Sequence, residues 1–451
     1  MKPLAISYKD PRELQAAARN PRTHTPRQVR QITASIQEFG FINPVLIDGS
    51  GRIVAGHART TAAIAIGMTD VPTLCVDHLS PAQIRAYVIA DNRLAEKAGW
   101  DRDLLALELQ ELSVELDFDV TITGFEMAEI DLLVGNAATA APVPEEANDV
   151  PKIDRTAPAI SQPGDLWQIG DHALLCGDAL KAESYRRLLQ TLRAQTVFTD
   201  PPFNVRIAGN VSGLGRVKHG EFAMASGEMT KTEFTSFLRR ALTNLVDFST
   251  DGSIHYLCID WRHLRELSEA ADSVYAELKN VCVWAKTNAG MGSLYRSAHE
   301  FVFVYKNGTG RHINNIELGR FGRNRTNVWT YPGASGFGKD RADTLAMHPT
   351  VKPLALVSDA ILDCSNRGGI VLDAFAGSGT TLLACEKTGR KGYGIEIDCH
   401  YVDLVIRRFD ELYGLKATEV VSGLTFDQLR DKRHTSAANA TSIATHGDTL
   451  P

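Results

Sequence analysis

Between residues 163 and 420, short apolar runs take turns with amphipathic stretches, and this alternation constrains the fold more than any other feature of the chain. The runs HALLC (172–176), QTVFT (195–199), SIHYLC (253–258), NVCVWA (280–285), EFVFVY (300–305), GIVLDA (369–374) and GYGIEI (392–397) have strand length and strand composition. Helical patterns lie between several of them, at 230–248, 261–273, 351–364, 380–388 and 400–413. Strand, crossover helix and strand make parallel neighbours, so the spacing predicts an α/β fold with a doubly wound, mostly parallel sheet. The runs 280–285 and 300–305 have no helix between them, which predicts an antiparallel pair at one edge.

At 451 residues the chain is too long for one hydrophobic core. Two breaks in composition divide it. Residues 136–162, NAATAAPVPEEANDVPKIDRTAPAISQ, are rich in Ala and Pro without a hydrophobic period and read as a linker. Over 425–451 the chain turns small and polar and reads as a disordered tail. The expected domains are therefore 1–135 and 163–420. Seven cysteines stand without a CxxC pair or ligand spacing, which points to reduced thiols in a cytoplasmic protein and to no structural metal. No apolar run reaches the length of a membrane span, and MKPLAISYKDPRELQ has no apolar signal stretch. The net charge of −6 excludes little, because a nucleic-acid enzyme needs only a local basic face.

VLDAFAGSGTTLLA (371–384) reads as a strand ending at Asp373, a Gly-rich turn and a helix starting near Ser378. Gly377 and Gly379 permit a tight turn and a close ligand approach, and exposed N–H groups at the helix start suit an anionic group. By itself such a turn serves any nucleotide, or only the fold. A second strand, GYGIEID, places Glu396 seventeen residues after Gly379, about where the doubly wound fold binds ribose hydroxyls. Neither GxGxxG nor GxxxxGK[ST] occurs, which argues against a nicotinamide dinucleotide and a phosphate-cradling loop.

TDPPFN (199–204) ends the run QTVFT. Asp200 supplies a carboxylate acceptor. Pro201 and Pro202 lack amide donors and stiffen the turn, leaving carbonyl oxygens outward, and Phe203 offers a flat stacking face. Two acceptors and an aromatic platform match an exocyclic amino group on a planar ring. Asp-Pro-Pro is also a common turn sequence, but here it stands at a strand's carboxyl end in the same domain as the Gly-rich loop.

In these segments the domain resembles the DNA amino-methyltransferases, the family that methylates adenine N6 or cytosine N4. DPPF (200–203) is similar to the family's catalytic tetrapeptide and FAGSGT (375–380) to its S-adenosyl-L-methionine loop. CGDAL (176–180) resembles the segment that contacts the cofactor adenine through Asp178, and HPTVKP (348–353) the motif beside the cofactor's methionine moiety. With GIEID these segments span nearly all of 165–410 in the permuted order of the β group, catalytic tetrapeptide first. The resemblance implies a Rossmann-like methyltransferase sheet, S-adenosyl-L-methionine as cofactor and no metal. It implies Asp200, Pro201, Pro202 and Phe203 as catalytic residues. It implies Asp178, Ala179, Lys352, Asp373, Phe375, Gly377, Gly379, Thr380, Glu396 and Ile397 as cofactor contacts. Asp before Pro-Pro, and the similarity of 284–308 to adenine-specific members, favour adenine over cytosine. His299 and Glu300 lie either near the target base or in a structural strand-start pair.

The β group carries target recognition in the segment that is 306–347 here. Over 304–341 there are seven basic residues against Glu317 and Asp340, with Trp329 and Tyr331 among them. Arg311, Arg320, Arg323 and Arg325 are the expected DNA contacts, and the aromatics the expected support for an unstacked base; the plain alternative is a solvated loop. The glycine-rich stretch 204–221 is expected to move until DNA binds.

NPRTH (20–24), VRQITASIQEFG (29–40), NPVLID (43–48), VAGHARTTAA (54–63) and VPTLCVDHLS (71–80) follow the order of the ParB N-terminal family, and DNRLAEKAGW (91–100) continues it. That resemblance implies a small α+β domain. Where the family usually has GERR, this chain has Gly56-His57-Ala58-Arg59, which lacks two charged residues that meet nucleotide phosphates. A DNA- or partner-docking module is expected rather than a nucleotide-binding one. No helix-turn-helix pattern stands out after Trp100. The function expected is site-specific methylation of adenine N6 in double-stranded DNA. The alternatives are cytosine N4 methylation, or a ParB-like DNA-binding regulator with a degenerate methyltransferase domain. A restriction enzyme, a phage or plasmid partner and a second copy of the chain are the other partners considered.

Overall fold

The computed structural model describes residues 4–17, 20–115, 119–138, 150–151, 153, 155–204, 227–287, 294–316, 325–333 and 351–435. The chain divides into two compact units, Met1–Thr139 and Ala140–Pro451.

The first unit begins with β1 (Ile6–Lys9), α1 (Pro26–Phe39), β2 (Val45–Ile47), β3 (Ile53–Ala55), α2 (His57–Ala65), β4 (Val71–Cys75) and α3 (Pro81–Ala95). Its sheet has the order β1-β4-β2-β3, closed by Val45, Ile47, Ile53, Ala63 and Val71. Helices α1 and α3 start on a side-chain cap, Thr25 or Ser80, followed directly by Pro, where a missing N–H costs nothing. This is the expected small α+β domain.

Beyond it, α4 (Arg102–Glu115), a 3-10 turn (Val120–Thr123) and α5 (Met127–Ala138) close over Leu109, Val120, Met127, Ile130 and Val134. Two helices joined by a short turn correct the expectation that no helix-turn-helix follows Trp100. Leucines at 104, 105, 107, 109 and 112 spread around α4, so the sequence shows no single apolar face.

In the second unit, β5 (Leu166–Ile169), β6 (His172–Cys176), α6 (Ala182–Leu189), β7 (Ala194–Thr199), α7 (Lys231–Asp247), β8 (Ser249–Ile259) and α8 (Leu264–Asp272) are followed by β9 (Glu277–Lys286), β10 (His299–Lys306) and β11 (Val328–Tyr331). Then come α9 (Leu354–Cys364), β12 (Ile370–Asp373), α10 (Thr380–Thr388), β13 (Lys391–Glu396), α11 (Cys399–Tyr413) and β14 (Ala417–Glu419). The sheet runs β11-β9-β10-β8-β7-β12-β13-β6-β5-β14. Strands β8, β7, β12, β13 and β6 are parallel neighbours.

Alternate residues feed opposite cores, as the period of two requires. Val197 and Leu372 join α6, α7 and α8 on one face; Phe198 and Val371 join α9, α10 and α11 on the other. The doubly wound sheet is as expected. The antiparallel pair β9–β10 forms, but it is not the margin, because β11 adds in parallel outside β9.

Two boundaries differ from expectation. Part of the segment expected to be a free linker is docked: the Ile160 and Ser161 amides donate to the Asp403 carboxylate at 2.7 and 2.9 Å, and Ile160 is buried. The tail expected from 425 instead opens with a helix over 426–435. There Phe426 packs edge-on against Trp167, Leu429 is buried, and Arg433 pairs with Asp165 at 2.7 Å. Residues 436–451 lie outside the described residues. Among the described residues no helix is long and apolar enough to cross a membrane.

Candidate active site

Parallel β6, β7, β12 and β13 end on one edge of the sheet, and the expected chemistry gathers there. Asp373, buried at the tip of β12, spends both oxygens on its neighbours. Oδ1 accepts from Thr199 Oγ1 at 2.8 Å and from the Phe375 amide at 3.0 Å, and Oδ2 accepts from Thr381 Oγ1 at 2.6 Å. It therefore ties the end of β7 to both ends of the Gly-rich turn.

Gly379 caps α10 at φ +81°, and a Cβ there would lie 2.8 Å from the γ carbons of Val405. Only glycine fits, and no side chain caps the helix, so its first amides stay open to a ligand. Glu396, at the tip of β13, accepts the Gly377 amide at 2.7 Å and the Asp398 amide at 2.8 Å. Burial still pushes its carboxyl up to about 7.

Asp178 accepts the Leu180 amide at 2.9 Å. Ala179 is buried, and its carbonyl accepts from Tyr185 and Asn244. Phe375 packs on Phe237, Thr380 is buried, and Ile397 is exposed at the strand exit. An open helix start, a turn that a side chain would fill and a buried acid on the adjacent strand fit a nucleoside-bearing cofactor.

The target side is assembled from distant segments. Asp200 directly follows β7, and its Oδ2 lies 2.5 Å from Lys352 Nζ. The same ammonium is 3.1 Å from Glu300 Oε2, and Lys286 Nζ is 2.5 Å from Glu300 Oε1. Lys352 Nζ sits 5.4 Å from the Phe203 ring centroid and 5.9 Å from that of Trp284.

Asp200 Oδ1 is buried and has no hydrogen-bond partner among the described residues. Burial pushes the Asp200 carboxyl up to about 6, with Lys352 opposing and Glu300 reinforcing. Burial also raises Glu300, but the Lys352 and Lys286 ammonium groups outweigh it and hold that carboxyl below its usual value. Asn204 closes the tetrapeptide in a left-handed conformation, φ 52°, pinned by side-chain bonds to Gly227 and Met229. Residues 205–226, which include most of the stretch expected to move, lie outside the described residues.

Other expected residues have partners within the protein. Lys352, expected beside the cofactor's methionine moiety, pairs with Asp200 and Glu300. Arg325, expected on DNA, is a structural clamp: it bonds Asp363 at 3.1 Å, Asp359 at 3.2 Å and the Tyr331 hydroxyl at 2.9 Å, and stacks on Trp329. Trp329 is itself buried and cannot support a base. Arg311 is exposed; Arg320 and Arg323 lie outside the described residues. The network of Lys286, Glu300 and Lys352 was missed as a unit, and only the strand-start position of Glu300 hinted at it.

The fold and this site define an α/β methyltransferase. Residues 194–407 match the DNA methylase model of the N6/N4 methyltransferases, 5–92 the ParB N-terminal domain, and 103–163 the ParB-methyltransferase HTH domain. The chain carries an N6/N4 DNA methylase domain with two ParB-type domains ahead of it, and S-adenosyl-L-methionine is its cofactor. The helix-turn-helix match runs through the segment expected to be a linker.

Type II methyltransferase M.HpaI of Haemophilus parainfluenzae is 24% identical over 254 residues, covering 53% of this chain and 74% of that protein. The ParB-like nuclease domain-containing protein YnaK of Escherichia coli (strain K12) is 45% identical over 80 residues, 18% of this chain and 92% of YnaK. The DNA adenine methyltransferase YhdJ of the same organism is 43% identical over 94 residues, 21% of this chain and 31% of YhdJ.

Proposed function

We propose that the protein methylates the N6 amino group of adenine at specific sites in double-stranded DNA. The observation that carries this reading is Asp200 Oδ1, a buried acceptor without a partner among the described residues, one strand away from the cofactor turn. The Asp of the Asp-Pro-Pro sequence and the similarity to YhdJ support adenine.

Bound S-adenosyl-L-methionine supplies an electrophilic methyl on a sulfonium. Glu396 would hold its ribose hydroxyls, Asp178 its adenine, and the open amides at the start of α10 its charged end. The target adenine is flipped from the helix and held against Phe203. Asp200 Oδ1 and the Pro201 carbonyl accept its two amino hydrogens. That draws the nitrogen lone pair out of ring conjugation and towards the methyl. Transfer is then one direct displacement whose rate owes much to alignment, and the surplus proton on nitrogen leaves towards the Asp200 carboxylate. Exposed Arg311 meets DNA phosphate, and the first unit docks DNA or a partner.

Expression in a methylation-free host, followed by long-read sequencing of its DNA, tests the reading. N6-methyladenine at one sequence motif is expected; N4-methylcytosine there would overturn it. Catalysis is assigned to the second unit alone. Because Ile160 and Ser161 are docked on that unit, a truncated chain should begin at Ala140 rather than near Ser161. It should methylate the same motif.

A further inference from the structure

We propose that Lys352 and Glu300 are positioning residues for methyl transfer: the Lys352 ammonium clamps one oxygen of Asp200 so that the other faces the target amine, and Glu300 sets how firmly it does so. The proposal rests on Asp200 being the amine acceptor. Three segments far apart in sequence, at 200, at the β9–β10 pair with 286 and 300, and at 352, deliver two carboxylates and two ammonium groups to one place. They alternate in sign along Asp200, Lys352, Glu300, Lys286, and the formal charge sums to zero.

A bare buried oxygen costs about 1–3 kcal/mol or more, and this cluster has two that accept no hydrogen bond among the described residues, Asp200 Oδ1 and Glu300 Oε2, the latter 3.1 Å from the Lys352 ammonium. Here Asp200 Oδ2 is bonded and Oδ1 is left bare. One oxygen is thus fixed while the other waits for a ligand. Lys352 is suited to the clamp because its side chain is only 4% exposed and its ammonium stands near the rings of Phe203 and Trp284, which keep water away.

Glu300 competes for that ammonium, and Lys286 on its other oxygen moderates the competition. The charges that face Asp200 among the described residues are Lys352 ahead of α9, Glu300 on β10 and Asp373 on β12; Lys286 stands behind Glu300, and the Cys258 thiol of β8 lies close to the same group. Lys352 favours the ionised carboxylate, whereas Glu300 and Asp373 disfavour it. Substituting Lys352 or Glu300 must therefore move the titration of Asp200 in opposite directions, which a merely structural role would not do.

The test is single-turnover methylation by the full chain as a function of pH, on duplex DNA carrying its site, with S-adenosyl-L-methionine affinity measured alongside. The parent should lose activity in acid as Asp200 protonates, near pH 6. Lys352→Met should move that acid limb up by about one unit or more and lower the plateau about 10²-fold, the scale of one misplaced transition-state acceptor, with cofactor affinity unchanged. Glu300→Gln should move the limb down. Lys352→Arg should restore the limb but only part of the plateau.

Limbs that stay put, or shift the same way in both variants, overturn the proposal. So does weaker cofactor binding by a folded Lys352→Met with an unmoved limb, which would make Lys352 a cofactor contact. If Lys352→Met does not fold, the limb positions of Glu300→Gln and Lys352→Arg decide. Asp200→Ala run in parallel separates the two readings. An active Asp200→Ala, which has no side-chain oxygen, removes the acceptor assignment itself, whereas an inactive one with unmoved limbs in the other variants removes only the positioning role.

Discussion

The cofactor side and the target side of the sheet edge each centre on a buried carboxylate, and they hold it by different means. Glu396 is gripped by two backbone amides, at 2.7 and 2.8 Å, from the glycine turn and from the residue pair that follows it. Asp200 is gripped on one oxygen by a side-chain ammonium that arrives from 152 residues away. A carboxylate held by main chain is positioned as soon as the turn forms, and few side-chain substitutions reach it. A carboxylate held by another side chain can be retuned by a single substitution. The proposed cofactor site is thus built into the fold, and the proposed catalytic site is added to it.

The largest test of that contrast is Asp200→Ala. Methyl transfer should fall by about 10²–10³-fold or more, as for loss of a positioned transition-state acceptor, while S-adenosyl-L-methionine binding by calorimetry persists. Matching activity in variant and parent would remove the target side altogether. Next, Arg325→Ala asks where the target side ends. Asp363, whose side chain is 3% exposed, would lose its guanidinium partner, at a cost on the order of 3 kcal/mol. Denaturant unfolding should register that loss, with the salt dependence of DNA binding unaltered. A shallower salt slope at unchanged stability would return Arg325 to the DNA surface.

On the cofactor side, Glu396→Ala should weaken S-adenosyl-L-methionine by about 1.5–3 kcal/mol, the range for a charge-assisted hydrogen bond. Unaltered affinity would leave Glu396 as a brace for Gly377 and nothing more. The smallest effect is a pH dependence. Ribose hydroxyls donate to the ionised form, and Glu396 titrates near 7. Affinity should be full above that pH and fall as pH drops through it, by up to about tenfold per unit. A flat profile between pH 5.5 and 8 would show that the carboxylate is already ionised when empty or is not used.

The cofactor side was legible because each part is contiguous: strand, glycine turn and helix lie within 371–384, and Glu396 follows at a fixed spacing. Asp200 to Phe203 could be read for the same reason. The Lys352–Glu300–Lys286 network could not, since Lys352 comes from a segment remote from the β9–β10 pair that carries the other two, and they meet only once β9, β10 and the start of α9 share one edge. Arg325 was misread because a charge count does not reveal partners. Asp359 and Asp363 sit one helical turn apart on α9, in a segment that looks unrelated to it. The helix at 426–435 has only Phe426 and Leu429 as its buried apolar residues, too few for a periodic signal, and its reason to fold is the waiting surface at Trp167. The edge strand β11 has one buried residue in four and offers little more.

Thr199 and Asp373, joined by a hydrogen bond, stand 174 residues apart, and β12 and β13 fill the gap between β7 and β6. During synthesis, then, the middle of the sheet is laid down after every other strand but β14. Strands β6 and β7 leave the ribosome each with a vacant edge, β7 until β12 has been made and β6 until β13 has, roughly ten to forty seconds later at common elongation rates. Until then Thr199, just ahead of Asp200, lacks its Asp373 partner. For that interval the unpaired strand edges are open to pairing with other chains.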